Sequence, residues 1–170
     1  VSCKKSGKGV LAEWTSADLK SWEHKGVFMQ CMWDRFYECP DVFKMGDWWY
    51  LVYSELHDAV RRVQYFKGRT LDELKACTKN DAGLWPDSHE GYLDSRGLYA
   101  GKTASDGTNR YIWGWCATRS GKDNTKALEW AGNLVAHKLV QHEDGTLTLG
   151  EVPGIAAKFD NAAKPDVVAK

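Results

Sequence analysis

Long apolar runs are missing from this chain. No segment approaches the roughly 18 consecutive apolar residues that a membrane-spanning helix needs, so no membrane span is expected. An excess of either charge is missing too, since 23 Lys and Arg balance 23 Asp and Glu. A neutral chain has no field to gather nucleic acid or an anionic membrane surface, and neither is expected as a partner. Cys-x-x-Cys spacing is absent, and the five cysteines (Cys3, Cys31, Cys39, Cys77, Cys116) are an odd number. That argues against a zinc site and a complete disulfide framework, and leaves free, mostly buried thiols as the expectation. His24, His57, His89 and His142 lie in polar segments without metal-ligand spacing, so neither metal nor cofactor is implied. The cellular compartment is left open.

Aromatics are what the chain has in abundance, with nine Trp and seven Tyr. In a neutral chain they suit strand cores and sugar-stacking surfaces. Short strands separated by turn chemistry dominate the pattern. Strands are expected at Val10–Trp14, Gly26–Met29 and Arg61–Phe66, the last ended by Lys67-Gly68. Asp41–Lys44 and Trp48–Ser54 read as a hairpin around Met45-Gly46-Asp47. Leu98–Thr103 pairs with Tyr111–Cys116, and Asn133–Val140 with Thr146–Leu149 around Asp144-Gly145. Thr70 followed by Glu73 marks one short helix with a capping box. Tyr111, Trp113 and Trp115 alternate and should share one face, where core packing is expected. Strands at this spacing with little helix indicate an all-β sheet array.

Glu38-Cys39-Pro40-Asp41 carries the chemistry. Pro40 fixes its own φ and should hold Cys39 extended, placing Glu38 on a stiff, non-helical stretch. Among Phe36, Tyr37 and Phe43 its carboxyl group should feel desolvation, which favours the protonated form and suits a proton donor. An ordinary surface glutamate at a strand start is the other reading of these four residues.

Three further segments stand in order around this one: Ser16-Ala17-Asp18-Leu19-Lys20-Ser21-Trp22, then Asp94-Ser95-Arg96-Gly97-Leu98-Tyr99-Ala100, then Arg110-Tyr111-Ile112-Trp113-Gly114-Trp115. Together with Glu38-Cys39-Pro40-Asp41-Val42-Phe43 the set resembles glycoside hydrolase family 32, the invertase, levanase and inulinase family. The resemblance runs from about Gly9 to Gly154. It implies a partial five-bladed β-propeller of four-stranded antiparallel blades over residues 1–155, two to three blades in all. Residues 156–170 then read as a linker toward a following domain, and the remaining blades as the chain's partner.

The resemblance also assigns roles. Glu38 is the general acid/base of a retaining hydrolase acting on β-fructosides such as sucrose or fructan. Asp94 bonds sugar hydroxyls, with Tyr99, Tyr37 and Trp33 as walls and Cys39 packed behind the glutamate. Glu38 and Asp94 are expected on the leading strands of adjacent blades, within hydrogen-bonding range or one water apart. Gly97 falls one position later than in many members, Tyr37 stands where Trp is frequent, and His137-Lys138 replaces a common Pro-Arg.

One half of the chemistry is not written in these residues. The family's nucleophile lies in an Asn-Asp-Pro motif and a second Asp in an Arg-Asp-Pro motif. The four prolines here follow Cys39, Trp85, Val152 and Lys164, so the chain holds no Asp-Pro at all. A non-catalytic carbohydrate-binding or structural propeller fragment, or a family 43-like glycosidase, therefore stands as the alternative reading.

Overall fold

The computed structural model describes residues 2–5, 8–30, 37–57, 60–77, 90–94, 97–122 and 126–159. They form three antiparallel sheets in succession, each built from strands that follow one another in the chain. The first holds β1 (Ser2–Lys5), β2 (Lys8–Thr15) and β3 (Glu23–Gln30). The second holds β4 (Glu38–Met45), β5 (Trp48–His57), β6 (Val60–Gly68) and β7 (Glu90–Tyr92), with helix α1 (Leu71–Ala76) between the last two. The third holds β8 (Leu98–Ser105), β9 (Arg110–Arg119), β10 (Leu128–Gln141) and β11 (Leu147–Gly150). A short helix α2 (Pro153–Ala156) follows. This all-β arrangement is a partial β-propeller, with four-stranded meanders as blades.

The second sheet is buried on both faces, which explains its aromatic run without polar alternation. Tyr50 and Val52 point one way into a core shared with Leu98, Ile112, Leu139 and Leu147 of the third sheet. Leu51 and Tyr53 point the other way, into a core shared with Leu11 and Met29 of the first sheet and Leu74 of α1. Leu51, Val52 and Phe66 are fully buried, and each such side chain contributes about 1.5–3 kcal/mol of transfer free energy. The alternation of strand side chains thus glues three sheets into a stack through the middle one.

Local expectations hold in most places and shift in a few. The hairpin around Asp144-Gly145 forms as read, while the other closes one residue tighter, Met45 pairing with Trp48 and leaving Gly46-Asp47 as the loop. Thr70 caps α1, its Oγ1 accepting from the Glu73 amide at 3.1 Å. The Glu73 carboxylate reaches one residue further back than a capping box requires and accepts from the Arg69 amide at 2.6 Å. Lys67-Gly68 does not end its strand but completes β6, pairing with Tyr50 and Trp49 of β5, and the Lys67 ammonium donates to the Asp144 carbonyl at 2.7 Å across the sheet interface.

The tryptophans of β9 are the clearest correction. Ile112 and Gly114 are the buried residues there, while Trp113 is 38% exposed. The face shared by Tyr111, Trp113 and Trp115 therefore points away from the core between the second and third sheets.

Candidate active site

β4 and β8 are the first strands of consecutive sheets, and each is the edge of its own sheet. Their facing edges are joined by side chains. The Tyr99 hydroxyl donates to Oε2 of Glu38. The Lys102 ammonium donates to the Pro40 carbonyl at 2.6 Å, and the Thr103 amide donates to Oδ2 of Asp41 at 2.7 Å. Three contacts thus run along the two edges in step.

Both strands carry the same irregularity at their heads. In β4, Glu38 pairs with Ser54 and Asp41 with Val52, so Cys39 and Pro40 together oppose Tyr53. In β8, Tyr99 pairs with Trp115 and Lys102 with Trp113, so Ala100 and Gly101 together oppose Gly114. These are two-against-one bulges, which bend a strand and re-aim its side chains. The residue after Glu38 is left-handed, with Cys39 at φ 50°, and so is the residue after Tyr99, with Ala100 at φ 55°. Cys39 is therefore not extended as Pro40 suggested. Proline disfavours the right-handed helical region for its predecessor, and the bulge takes up the left-handed one.

The environment of Glu38 also differs from expectation. The residue is exposed, and Phe36, one of the aromatic neighbours expected around it, lies outside the described residues. Phe43 packs into the core toward the third sheet. Tyr37 is only 1% exposed, its ring 4.3 Å from that of Tyr53 and 6.0 Å from that of Phe66, so it offers no open face. Cys39 is half-buried with a free thiol.

Asp94 lies in the connection between β7 and β8, not on a leading strand. Its charge is felt by Cys116, whose thiol is pushed up by burial first and by the Asp94 carboxylate second. Tyr99 takes the leading-strand position instead, its ring set edge-on to Trp115 with centroids 5.9 Å apart. The expectation for Trp33 falls outside the described residues.

Sequence reasoning missed Lys102, Thr103 and Ser54. Ser54 faces Glu38 across the ladder, and its buried hydroxyl finds no hydrogen-bond partner among the described residues. Matching the two leading strands residue by residue would have paired Glu38-Cys39-Pro40-Asp41 with Tyr99-Ala100-Gly101-Lys102 and exposed the equivalence. On the flank of the second sheet toward the first, a groove of about 350 Å³ reaches Pro40 and Val42, walled by Trp14, Trp22, Phe28 and Trp49.

No cluster of His, Cys, Asp and Glu is placed to hold a metal ion among the described residues. None of the helices described is long and apolar enough to cross a membrane. Chemically, the arrangement offers an exposed carboxyl group on a rigid bulge with one oxygen engaged by a phenol, an arrangement suited to proton transfer with a bound hydroxyl or ether oxygen.

The chain resembles known proteins in sequence and in fold. The family described as Glycosyl hydrolases family 32 N-terminal domain matches residues 1–152. Among solved structures, a Bombyx mori GH32 beta-fructofuranosidase mutant in complex with sucrose superposes with a TM-score of 0.63 at 19% identity, over 92% of this chain and 34% of that one. This chain thus spans about a third of the length of that protein. An exo-1,5-alpha-L-arabinanase from a bovine ruminal metagenomic library reaches a TM-score of 0.47 at 11% identity, over 88% of this chain and 72% of that one. An exo-beta-1,3-galactanase from Clostridium thermocellum reaches 0.48 at 18% identity, over 84% and 29%. No curated protein matches.

Proposed function

The chain belongs to glycosyl hydrolase family 32, and from that premise we propose that it is the acid/base-bearing part of a retaining hydrolase acting on β-fructosides. The observation that carries this reading is the meeting of Glu38 and Tyr99 at the heads of two adjacent edge strands.

Retaining hydrolysis uses two carboxyl groups about 5–5.5 Å apart. Glu38 supplies one. With Oε2 engaged by Tyr99, the second oxygen carries the proton to the leaving glycosidic oxygen and later accepts one from water. The nucleophile comes from outside these 170 residues, in which no Asp-Pro motif occurs. Asp94 serves sugar hydroxyls from the loop before β8, beside Cys116. The remaining propeller blades are the partner that completes the pocket.

The test is an enzyme that joins this chain to nucleophile-bearing blades. Glu38→Gln is expected to slow sucrose cleavage by about 10²–10⁴-fold and to spare fructosides with activated leaving groups, which need little protonation. Equal loss on both substrates would replace the acid/base assignment with a binding role. The 170-residue chain alone should not turn over sucrose, inulin or levan.

A further inference from the structure

The contact between Glu38 and Tyr99 depends on two backbones that each pay for a left-handed, non-glycine residue. Such a conformation is costly for an L-residue and persists only where its surroundings over-determine it. Cys39 and Ala100 both adopt it. A bulge also removes ladder hydrogen bonds, so the ladder to β5 and β9 does not by itself hold these positions.

What holds them is reciprocal. Asp41 is the third residue after Glu38, and Lys102 is the third after Tyr99, so the two occupy equivalent places beyond their bulges. From these places each reaches to the backbone of the other strand. Asp41 accepts the Thr103 amide at 2.7 Å, and Lys102 donates to the Pro40 carbonyl at 2.6 Å. The charges match the need, because a carboxylate can cap an edge N–H and an ammonium an edge C=O. Hydrogen bonds with one ionised partner are short and roughly twice as strong as neutral ones. The Asp41 bond lies just beyond the bulges and the Lys102 bond ends on Pro40 within the β4 bulge, where a small slip of one strand would part the phenol from the carboxylate.

We propose that Asp41 and Lys102 form a cross-sheet clamp whose role is to position the Glu38 carboxyl against the Tyr99 hydroxyl. Asp41 and Lys102 are thereby positioning residues, acting through Glu38. The catalytic consequence rests on the reading of Glu38 as the acid/base, whereas the clamp itself does not.

Two measurements separate these. In the 170-residue chain, amide exchange at Thr103 and the carboxyl carbon resonance of Glu38 report the clamp directly. Asp41→Ala should speed Thr103 exchange by about tenfold or more and displace the Glu38 resonance as far as Tyr99→Phe does. Asp41→Asn, which keeps an oxygen to accept the amide, should restore both. If Asp41→Ala fails to fold, Lys102→Met, at an exposed residue, removes the other half and should displace the same resonance. A Glu38 signal that moves with Tyr99→Phe but with neither clamp variant would overturn the proposal.

In the completed enzyme, Asp41→Ala should lower kcat on sucrose about 10–100-fold with KM within twofold, and spare activated fructosides. Loss of KM and kcat alike on both substrates would mean a merely structural residue. A completed wild-type enzyme that cleaves no fructoside would overturn the acid/base reading, while the resonance measurement still decides the clamp.

Discussion

Tyr99 stands in the third sheet where Glu38 stands in the second. Each is the last paired residue before a bulge, each precedes a left-handed residue, and the two side chains meet between the strands. The repeat of the propeller thus supplies a carboxyl group from one blade and its hydrogen-bond donor from the same position of the next.

That equivalence makes the bulge in β8 testable. Ala100→Gly should stabilise the chain by about 0.5–1 kcal/mol, since removing a Cβ at φ 55° relieves more than glycine's extra chain entropy costs. Gly114 opposes the bulge, and a Cβ there would sit 2.7 Å from the Tyr99 carbonyl oxygen and 2.6 Å from Leu98. Gly114→Ala should therefore destabilise by about 1–3 kcal/mol. Urea unfolding of the two variants, which must shift in opposite directions, checks both.

A buried phenol helps tie the second and third sheets together. Tyr65 Oη accepts the Leu147 amide at 2.9 Å, deep between the sheets. Tyr65→Phe leaves that amide without its acceptor, at a cost of about 1–3 kcal/mol. Denaturant melts should show the loss, and amide exchange should place it at Leu147 first.

The turn after β2 should titrate on its own. Asp18 is held down to about 2 from 3.8, by the Ser21 amide first, then the Lys20 amide and the Ser16 hydroxyl. Because the folded value lies below the unfolded one, its contribution is present in full above about pH 4 and lost as pH falls toward 2. Asp18→Asn should flatten the stability profile in that window alone. An NMR titration of the carboxyl carbon gives the midpoint directly, and one near 3.8 would contradict the turn geometry.

Thiol chemistry tests where Asp94 sits. Burial pushes Cys77 up to about 11, with Glu73 adding to it, so it should resist alkylation at pH 8 in the folded chain. Cys116 is raised by burial and then by Asp94. Asp94→Asn should accordingly speed alkylation of Cys116 severalfold and leave Cys77 unchanged, as followed by mass spectrometry.

Much of this protein was legible along the chain because the signals are local. Turn residues at Gly46-Asp47 and Asp144-Gly145, the Thr70 cap and the short strands are decided by neighbours within a few residues, and the structure keeps them. The ordered motifs around Glu38 identified the family for the same reason, since a motif is a local string. β1 and β7 escaped notice because four and three residues hold no readable period.

What only the tertiary structure decided are matters of register and facing. Alternation says that Tyr111, Trp113 and Trp115 share a face but not which face, and burial of Ile112 in the core with the second sheet settled it. The sequence by itself singled out Glu38, but its exposure, its partner Tyr99 and the clamp of Asp41 with Lys102 arise from residues about sixty positions apart. Asp94 illustrates the limit: its motif was readable, yet its place in the connection before β8, beside Cys116, depends on where the strands begin to pair. Local composition chooses the strands and turns, while the two edges that meet are chosen by how whole sheets stack.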